Sequence, residues 1–321
     1  MGCKEAQQLA IIVVNYASHG LLARNLAAVA GENPHALIVV VDSFSSAAEQ
    51  HAVAGLAGSH GWTFVQTSRN VGFGAGMNAG VAAAMEAGAT TFLLLNPDAV
   101  LSAESVAALS QALAGEPMAL LSPLIFDAGG RPWFAGADVR LDNGRTQSAA
   151  RTRLEGAKGA APTWPWLSGA CLMLGEPLWR MAGGFDERYF LYWEDVDFSR
   201  RVVNAGGRLR IVEGASAVHD EGGTQGPAAG GHRAKSSQYY YYNTRNRLLF
   251  ASLHLSDSAG RQWARSAVPA AWEILLRGGR RQFLHSMAPM RAALAGTRDG
   301  LRLGQSIRRE SAARRGAEPP G

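Results

Sequence analysis

The first 125 residues alternate short apolar runs with longer amphipathic ones. Residues 9–14 (LAIIVV), 36–41 (ALIVVV), 63–66 (TFVQ) and 91–95 (TFLLL) have the length and composition of strands buried in a sheet. Between them, helical patterns run over residues 21–30, to residue 54, and from Gly72 to about residue 87. Strand–helix alternation with short connections predicts right-handed βαβ units and an α/β, doubly wound, mostly parallel sheet of Rossmann-like type. Ligands of such sheets collect at the carboxyl ends of the strands. The polar residues closing these strands are therefore the ones to read: Asn15, Asp42, residues 68–70 with Arg69 and Asn70, and Asn96 to Asp98.

After Phe126 the pattern loosens. Residues 127–165 are rich in Gly, Pro, Arg and Asp, and DAGGRP and LDNGRT read as turns of a hairpin or loop excursion. Apolar structure resumes at residues 166–174. A helix is expected to follow FLYWED as far as residue 204, then a strand over 208–212, a glycine-rich loop over 221–231, and a helix over 238–253. The rest, to residue 315, reads as one or more basic amphipathic helices, and residues 316–321 (GAEPPG) as a disordered tail. The expected organisation is a main domain over 1–235, divided near 125 into two halves, and a basic helical extension over 236–315.

Composition narrows the classes. Of 321 residues, 47% are hydrophobic and 18% charged, enough to bury a core and to exclude disorder for most of the length. Two cysteines are too few for a disulfide framework or a cysteine-built metal site, which fits a reducing compartment. No run reaches 18 apolar residues, so no transmembrane helix is expected, and residues 9–14 read as a first strand and not a signal peptide. Charge is unevenly placed. Residues 245–315 hold 14 arginines against four acidic residues, while the whole chain is only +5. A mildly acidic body thus carries a basic tail, which either attracts a polyanion or merely solvates helix faces.

Four runs bear chemistry, and each has a plain structural alternative. In FLLLNPDAVL a strand ends at Asn96-Pro97-Asp98, presenting a carboxylate suited to Mg²⁺ or Mn²⁺ completed by substrate phosphates, or simply making a turn. In YFLYWEDVD three acids follow a set of aromatics. Glu194 and Asp195 either line a pocket as a potential base or cap a helix. His219 follows a strand and is either a ligand or a packed histidine. The glycines at 72, 74, 76 and 80 either let a phosphate or sugar approach the backbone or serve as turn and connection residues. They also suggest a nicotinamide-dependent oxidoreductase, but the first turn, NYASHG, lacks that fingerprint.

Taken in order, IIVVNYAS, VVVDSFSS, SRNVGFGAGMNAGVAAA, LLLNPDAVL, LSGACLML, GGFDERYFLYWEDVDFSRR, VHDEGGT and YYYYNTRNRLLF resemble the family 2 inverting glycosyltransferases, in particular the rhamnosyltransferase-like branch. The resemblance spans about residues 9–250 and implies a GT-A fold that binds a nucleotide-diphosphate sugar. It implies that Asp42 meets the base or ribose and that Asn15, Arg69, Asn70, Gly72 and Asn96 lie near the donor. Asp98 would hold a divalent metal (Mg²⁺ or Mn²⁺) with His219, Asp195 would be the general base, and Asp186, Trp193 and Glu194 would face the acceptor. Ser43 and Phe44 follow Asp42 where the family usually has Asn, so nucleotide preference stays open. The implied acceptor is a saccharide or lipid-linked saccharide of cell-envelope polysaccharide synthesis. The expected location is cytoplasmic, with the basic tail at an anionic membrane face and no role for nucleic acid. The alternatives at this point are the oxidoreductase and a non-catalytic saccharide-binding relative.

Overall fold

The computed structural model describes residues 8–156, 161–219 and 235–317. In chain order the strands are β1 (Leu9–Asn15), β2 (Leu37–Asp42), β3 (Thr63–Gln66), β4 (Thr91–Leu95), β5 (Ala99–Leu101), β6 (Ala119–Phe126), β7 (Pro132–Phe134), β8 (Ala137–Arg140), β9 (Thr146–Ser148), β10 (Thr163–Trp166), β11 (Cys171–Gly175) and β12 (Arg208–His219). The helices are α1 (His19–Leu21), which passes through a π-helical turn (Leu22–Leu26) into α2 (Ala27–Glu32), then α3 (Ala47–His60), α4 (Phe73–Glu86), α5 (Ala103–Gly115), α6 (Ala149–Gly156), α7 (Glu176–Ala182), α8 (Glu194–Asn204), α9 (Ser237–His254), α10 (Asp257–Arg265), α11 (Ala267–Leu276) and α12 (Ala288–Ala317).

Nine strands form one sheet in the order β3-β2-β1-β4-β11-β6-β12-β5, with β7 on β6. The four predicted strands lie side by side as β3-β2-β1-β4, parallel throughout, while β11 and β5 run antiparallel to their neighbours β4 and β12. This is the doubly wound, mostly parallel sheet expected. Alternation along β1 and β2 sends side chains to opposite faces. Ile11, Val13 and Val40 join Leu22 and Leu26 on one side, and Ile12, Val14, Val39 and Val41 join Met77 and Val81 of α4 on the other. Both faces are covered, which is why these strands read as unbroken apolar runs.

The residues cluster as two compact units. The first contains residues 8–137, Ser148–Ala150 and 165–219; the second contains Asp138–Gln147, the described parts of 151–164, and 235–317. In the second unit, Gly296, Gly300 and Gly304 recur every four residues on α12. A Cβ at Gly296 would strike the carbonyl of Tyr241, and one at Gly300 would come to 2.8 Å of the Arg245 carbonyl. The glycine stripe is what lets α12 lie directly on α9. The guanidinium of Arg247 is buried in the same unit, where it donates to the carbonyls of Asn143 and Trp263 and to Ser266 Oγ and stacks over the Trp263 ring. Burial pushes it down to about 10, so it stays charged at neutral pH. Residues 318–321, part of the expected disordered tail, and residues 221–231, the expected glycine-rich loop, lie outside the described residues. Among the described residues no helix is long and apolar enough to cross a membrane.

Candidate active site

The strand ends of the first unit carry the polar residues. Asn15 and Asp42 are register partners at the tips of β1 and β2, both fully buried, and Asn15 Nδ2 donates to Asp42 Oδ1 at 2.8 Å. Gln50 Nε2 donates to the other Asp42 oxygen at 3.3 Å. Asn15 also donates to Glu49, which accepts from the backbone N–H of His19. Burial raises the Glu49 carboxyl, but hydrogen bonds from His19 and Asn15 outweigh this and hold it below its ordinary value. Ser43 ties this corner to the glycine loop: its hydroxyl donates to Asn70 Oδ1 and accepts from the Val71 N–H. Asn70 Oδ1 in turn accepts from the Gly72 N–H at 2.9 Å. Arg69 projects to solvent beside this loop. Glu49 and Gln50 were not singled out by sequence reasoning, and Ser43 was noted only as a departure from the family pattern. Their helical or loop positions carry no motif, and only the fold shows them bonded to the strand tips.

The glycines divide by role. Gly76 and Gly80 let α4 press onto β1 and β2, since a Cβ there would fall 2.9 Å from Val14 Cγ1 and within clash of Ile12. Gly74 sits as closely against Phe185. Gly76 and Gly80 thus serve helix–sheet packing, and Gly74 packs α4 against the loop before α8. Gly72 differs. It has φ +84°, caps α4, and a Cβ there would collide with the carbonyl oxygen of Phe190. That same carbonyl accepts from the Phe73 N–H at 3.1 Å, so Gly72 locks the start of α4 to the aromatic–acidic segment. Gly72→Ala is expected to cost about 2–3 kcal/mol from left-handed strain plus displacement of residue 190. A urea midpoint equal to that of the unsubstituted protein would show the contact to be dispensable.

That segment delivers the acids. Tyr192 and Trp193 both adopt left-handed backbone, φ 64° and 74°, immediately before α8. Two consecutive non-glycine residues in this region store strain, which surrounding structure must hold and which is concentrated at functional sites. The turn buries Trp193 and Glu194 and places Asp195 in the first turn of α8. Asp195 Oδ2 accepts from the Gly169 N–H at 3.0 Å and Oδ1 from the Val196 N–H at 2.8 Å. Desolvation nonetheless pushes its carboxyl up to about 6 against those backbone donors. Glu194 beside it is raised well above its ordinary value by burial and then by the charge of Asp195, and its Oε2 has no hydrogen-bond partner among the described residues. Asp197 is instead engaged by Arg201 at 2.7 Å. Asp186 is held by Arg188, whose hydrogen bonds outweigh the raising effect of burial and keep the carboxyl below its usual range.

Strand direction brings Asp98 to the same neighbourhood. Because β11 runs antiparallel to β4, with Cys171 opposite Leu95, the residues preceding β11 lie beside those following β4. The Asn96 N–H donates to the Ala170 carbonyl at 3.0 Å. One residue earlier, Gly169 holds Asp195. The Asn96-Pro97-Asp98 turn and Asp195 are therefore joined through a single Gly169–Ala170 step. Asp98 is buried, and Asn25 Nδ2 anchors the turn at the Pro97 carbonyl. On the other side β12 pairs with β5 so that His219 faces Ala99. His219 Nε2 reaches 3.0 Å from Asp98 Oδ1, and its ring packs on Trp133 with centroids 4.6 Å apart. Its Nδ1 has no hydrogen-bond partner among the described residues. A buried carboxylate and the imidazole beside it form an oxygen–nitrogen donor pair that suits a divalent cation finishing its shell on phosphates. Among the described residues no cluster of three or more potential metal-ligating side chains occurs.

Residues 10–164 match the family model for glycosyl transferase family 2. An N-acetylglucosaminyl-diphospho-decaprenol L-rhamnosyltransferase of Mycobacterium tuberculosis is 26% identical over 265 residues, covering 73% of this chain and 82% of that protein. The low-salt glycan biosynthesis hexosyltransferase Agl10 of Haloferax volcanii is 25% identical over 271 residues, 81% of each chain. Among solved structures, a mannosyltransferase of Pyrobaculum calidifontis in complex with GDP-Man and Mn²⁺ aligns with a TM-score of 0.56 at 15% identity, over 93% of this chain and 88% of that one. With the GT-A sheet established, the protein carries a glycosyl transferase family 2 domain and is a glycosyltransferase.

Proposed function

We propose that the protein transfers a sugar, with rhamnose the first candidate, from a nucleotide diphosphate to a lipid-linked saccharide of the cell envelope, inverting the anomeric centre. The observation that carries the reading is Asp195: a carboxylate tuned to about 6, fixed by two backbone N–H groups, one residue's step from the turn that bears Asp98. The lipid-linked acceptor and the rhamnosyl donor are suggested by the name of the mycobacterial relative.

In the proposed reaction the acceptor hydroxyl attacks the anomeric carbon while the bond from that carbon to the diphosphate oxygen breaks. Asp195 takes the hydroxyl proton, and the nucleotide diphosphate leaves with the bonding electrons. A single displacement on the face opposite the leaving group inverts the configuration and needs no protein nucleophile. Asp98 and His219 would hold a divalent cation, which when bound offsets negative charge developing on the departing diphosphate. Asn15 and Asp42, braced by Gln50 and Glu49, shape the β1–β2 corner where the nucleotide would lie, and the loop at Arg69 and Asn70 borders it. Trp193, Glu194 and Asp186 belong to the acceptor side.

A panel of nucleotide sugars offered with Mn²⁺ tests the donor. One nucleotide sugar should raise the unfolding temperature, and its product with a polyprenyl-diphosphate saccharide should carry the opposite anomeric configuration by NMR. A product of retained configuration would overturn the single-displacement reading.

A further inference from the structure

The C-terminal helices expose large apolar side chains that packing would normally hide. On α11, Val268 and Trp272 lie one turn apart on the same side, with solvent exposures of 74% and 51%. Leu276 continues the row and is half-buried. The opposite side of α11 faces inward, with Ile274 and Leu275 buried against Tyr240. The chain then turns through Gly278–Gly279 into a 3₁₀ turn, Arg280–Leu284, which sets the Phe283 ring flat on Trp272 with centroids 5.7 Å apart and an interplanar angle of 8°. Leu284 is 82% exposed, and Met287 follows, also exposed. Two stacked aromatics thus end in a bare leucine.

The charge around this patch is of one sign. Residues 258–298 contain seven arginines and one acid, Glu273. Glu273 is already neutralised by Arg145 at 2.6 Å. Arg277, Arg280 and Arg281 flank the aromatic pair, and all three are exposed. A protein partner's apolar surface would complement the patch but not its ring of cations; a second copy would bring like charge against like. Anionic lipid meets both demands, because aromatic and aliphatic tips enter the headgroup boundary while guanidinium groups pair with phosphates. We propose that Val268, Trp272, Phe283, Leu284 and Met287, ringed by Arg277, Arg280 and Arg281, form the surface by which this enzyme docks on an anionic lipid bilayer. The proposal rests on the reading that its acceptor is lipid-linked, and it names the surface that keeps the enzyme where such acceptors reside.

The test is co-sedimentation of the full chain with vesicles of phosphatidylcholine alone and of equal parts phosphatidylcholine and phosphatidylglycerol. The unsubstituted protein should pellet with the anionic vesicles only, and less as salt rises. Two variants separate the contributions: Trp272→Ser with Leu284→Ser, and Arg277→Glu with Arg280→Glu and Arg281→Glu. Each should lower partitioning at least about tenfold while leaving the thermal unfolding temperature and its shift by nucleotide diphosphate unchanged. Failure of the unsubstituted protein to pellet would remove the membrane reading altogether. Binding that survives in both variants would keep a membrane enzyme but overturn this surface. A dimer of the unsubstituted protein that the serine variant converts to monomer would assign the patch to a second copy instead.

Discussion

Asp195→Asn is expected to lower turnover at least about a hundredfold while donor binding stays nearly intact. Asparagine keeps the shape and one acceptor for the Gly169 and Val196 N–H groups but cannot take a proton. Because burial raises the Asp195 carboxyl from 3.8 to about 6, the proposed base is ionised at neutral pH yet close enough to it to be effective. The rate of the unsubstituted enzyme should therefore fall on the acid side with an apparent midpoint near 6. Since Glu194 shares the site, that midpoint belongs to the pair. The stability consequence has the opposite sign. A carboxyl whose folded value lies above its unfolded one binds protons more tightly in the native state, so stability declines as pH rises from about 4 to 6. The decline is on the order of 3 kcal/mol for a shift of about two units. In the asparagine variant that slope should flatten. Substantial residual transfer with an unchanged acid limb would mean that the proton goes to another group.

The reason Asp195 was readable as a candidate, but its setting was not, lies in which contacts are local. The strand ends at Asn15, Asp42 and Asp98 are marked by apolar runs of period and length set by burial on both faces, and the sheet bears them out. The acids at 194–197 head a helix, as their spacing implied. What periodicity does not carry is strand direction. Nothing in CLMLG says that β11 would insert antiparallel beside β4, and it is this insertion that sets Gly169 against Asp195 and Ala170 against Asn96. Strand β12 was expected to end at Val212 and continues to His219. The register slips between Val212 and Ser216, so alternation breaks where the ladder does not. The glycine run left two readings open. For Gly76 and Gly80 the close partners are Val14 and Ile12 of β1, and for Gly74 it is Phe185 in the loop before α8, so their spacing reflects close packing of α4.

Asp98→Ala should abolish metal-dependent nucleotide binding as well as turnover, which sets it apart from the loss at Asp195. The geometry gives the reason. The turn is pinned at three points that do not use the Asp98 side chain: Asn96 N–H on Ala170, Asn25 on the Pro97 carbonyl, and Ala99 N–H on the Asn96 carbonyl. Truncation at Cβ therefore removes the proposed ligand without releasing the backbone. What remains is His219, a single imidazole on Trp133, too little to hold a cation beside a diphosphate. Charge stabilisation of the leaving group by such a cation is worth several kcal/mol, so the rate should fall by about a thousandfold or more. Protection against thermal unfolding by nucleotide diphosphate should no longer respond to Mn²⁺. His219→Ala should weaken the Mn²⁺ response less, because the carboxylate supplies the charge and the imidazole only a neutral donor. If Asp98→Ala kept the full Mn²⁺-dependent protection, Asn96-Pro97-Asp98 would be a turn and nothing more, and the cation would have to be sought elsewhere along the β4 edge.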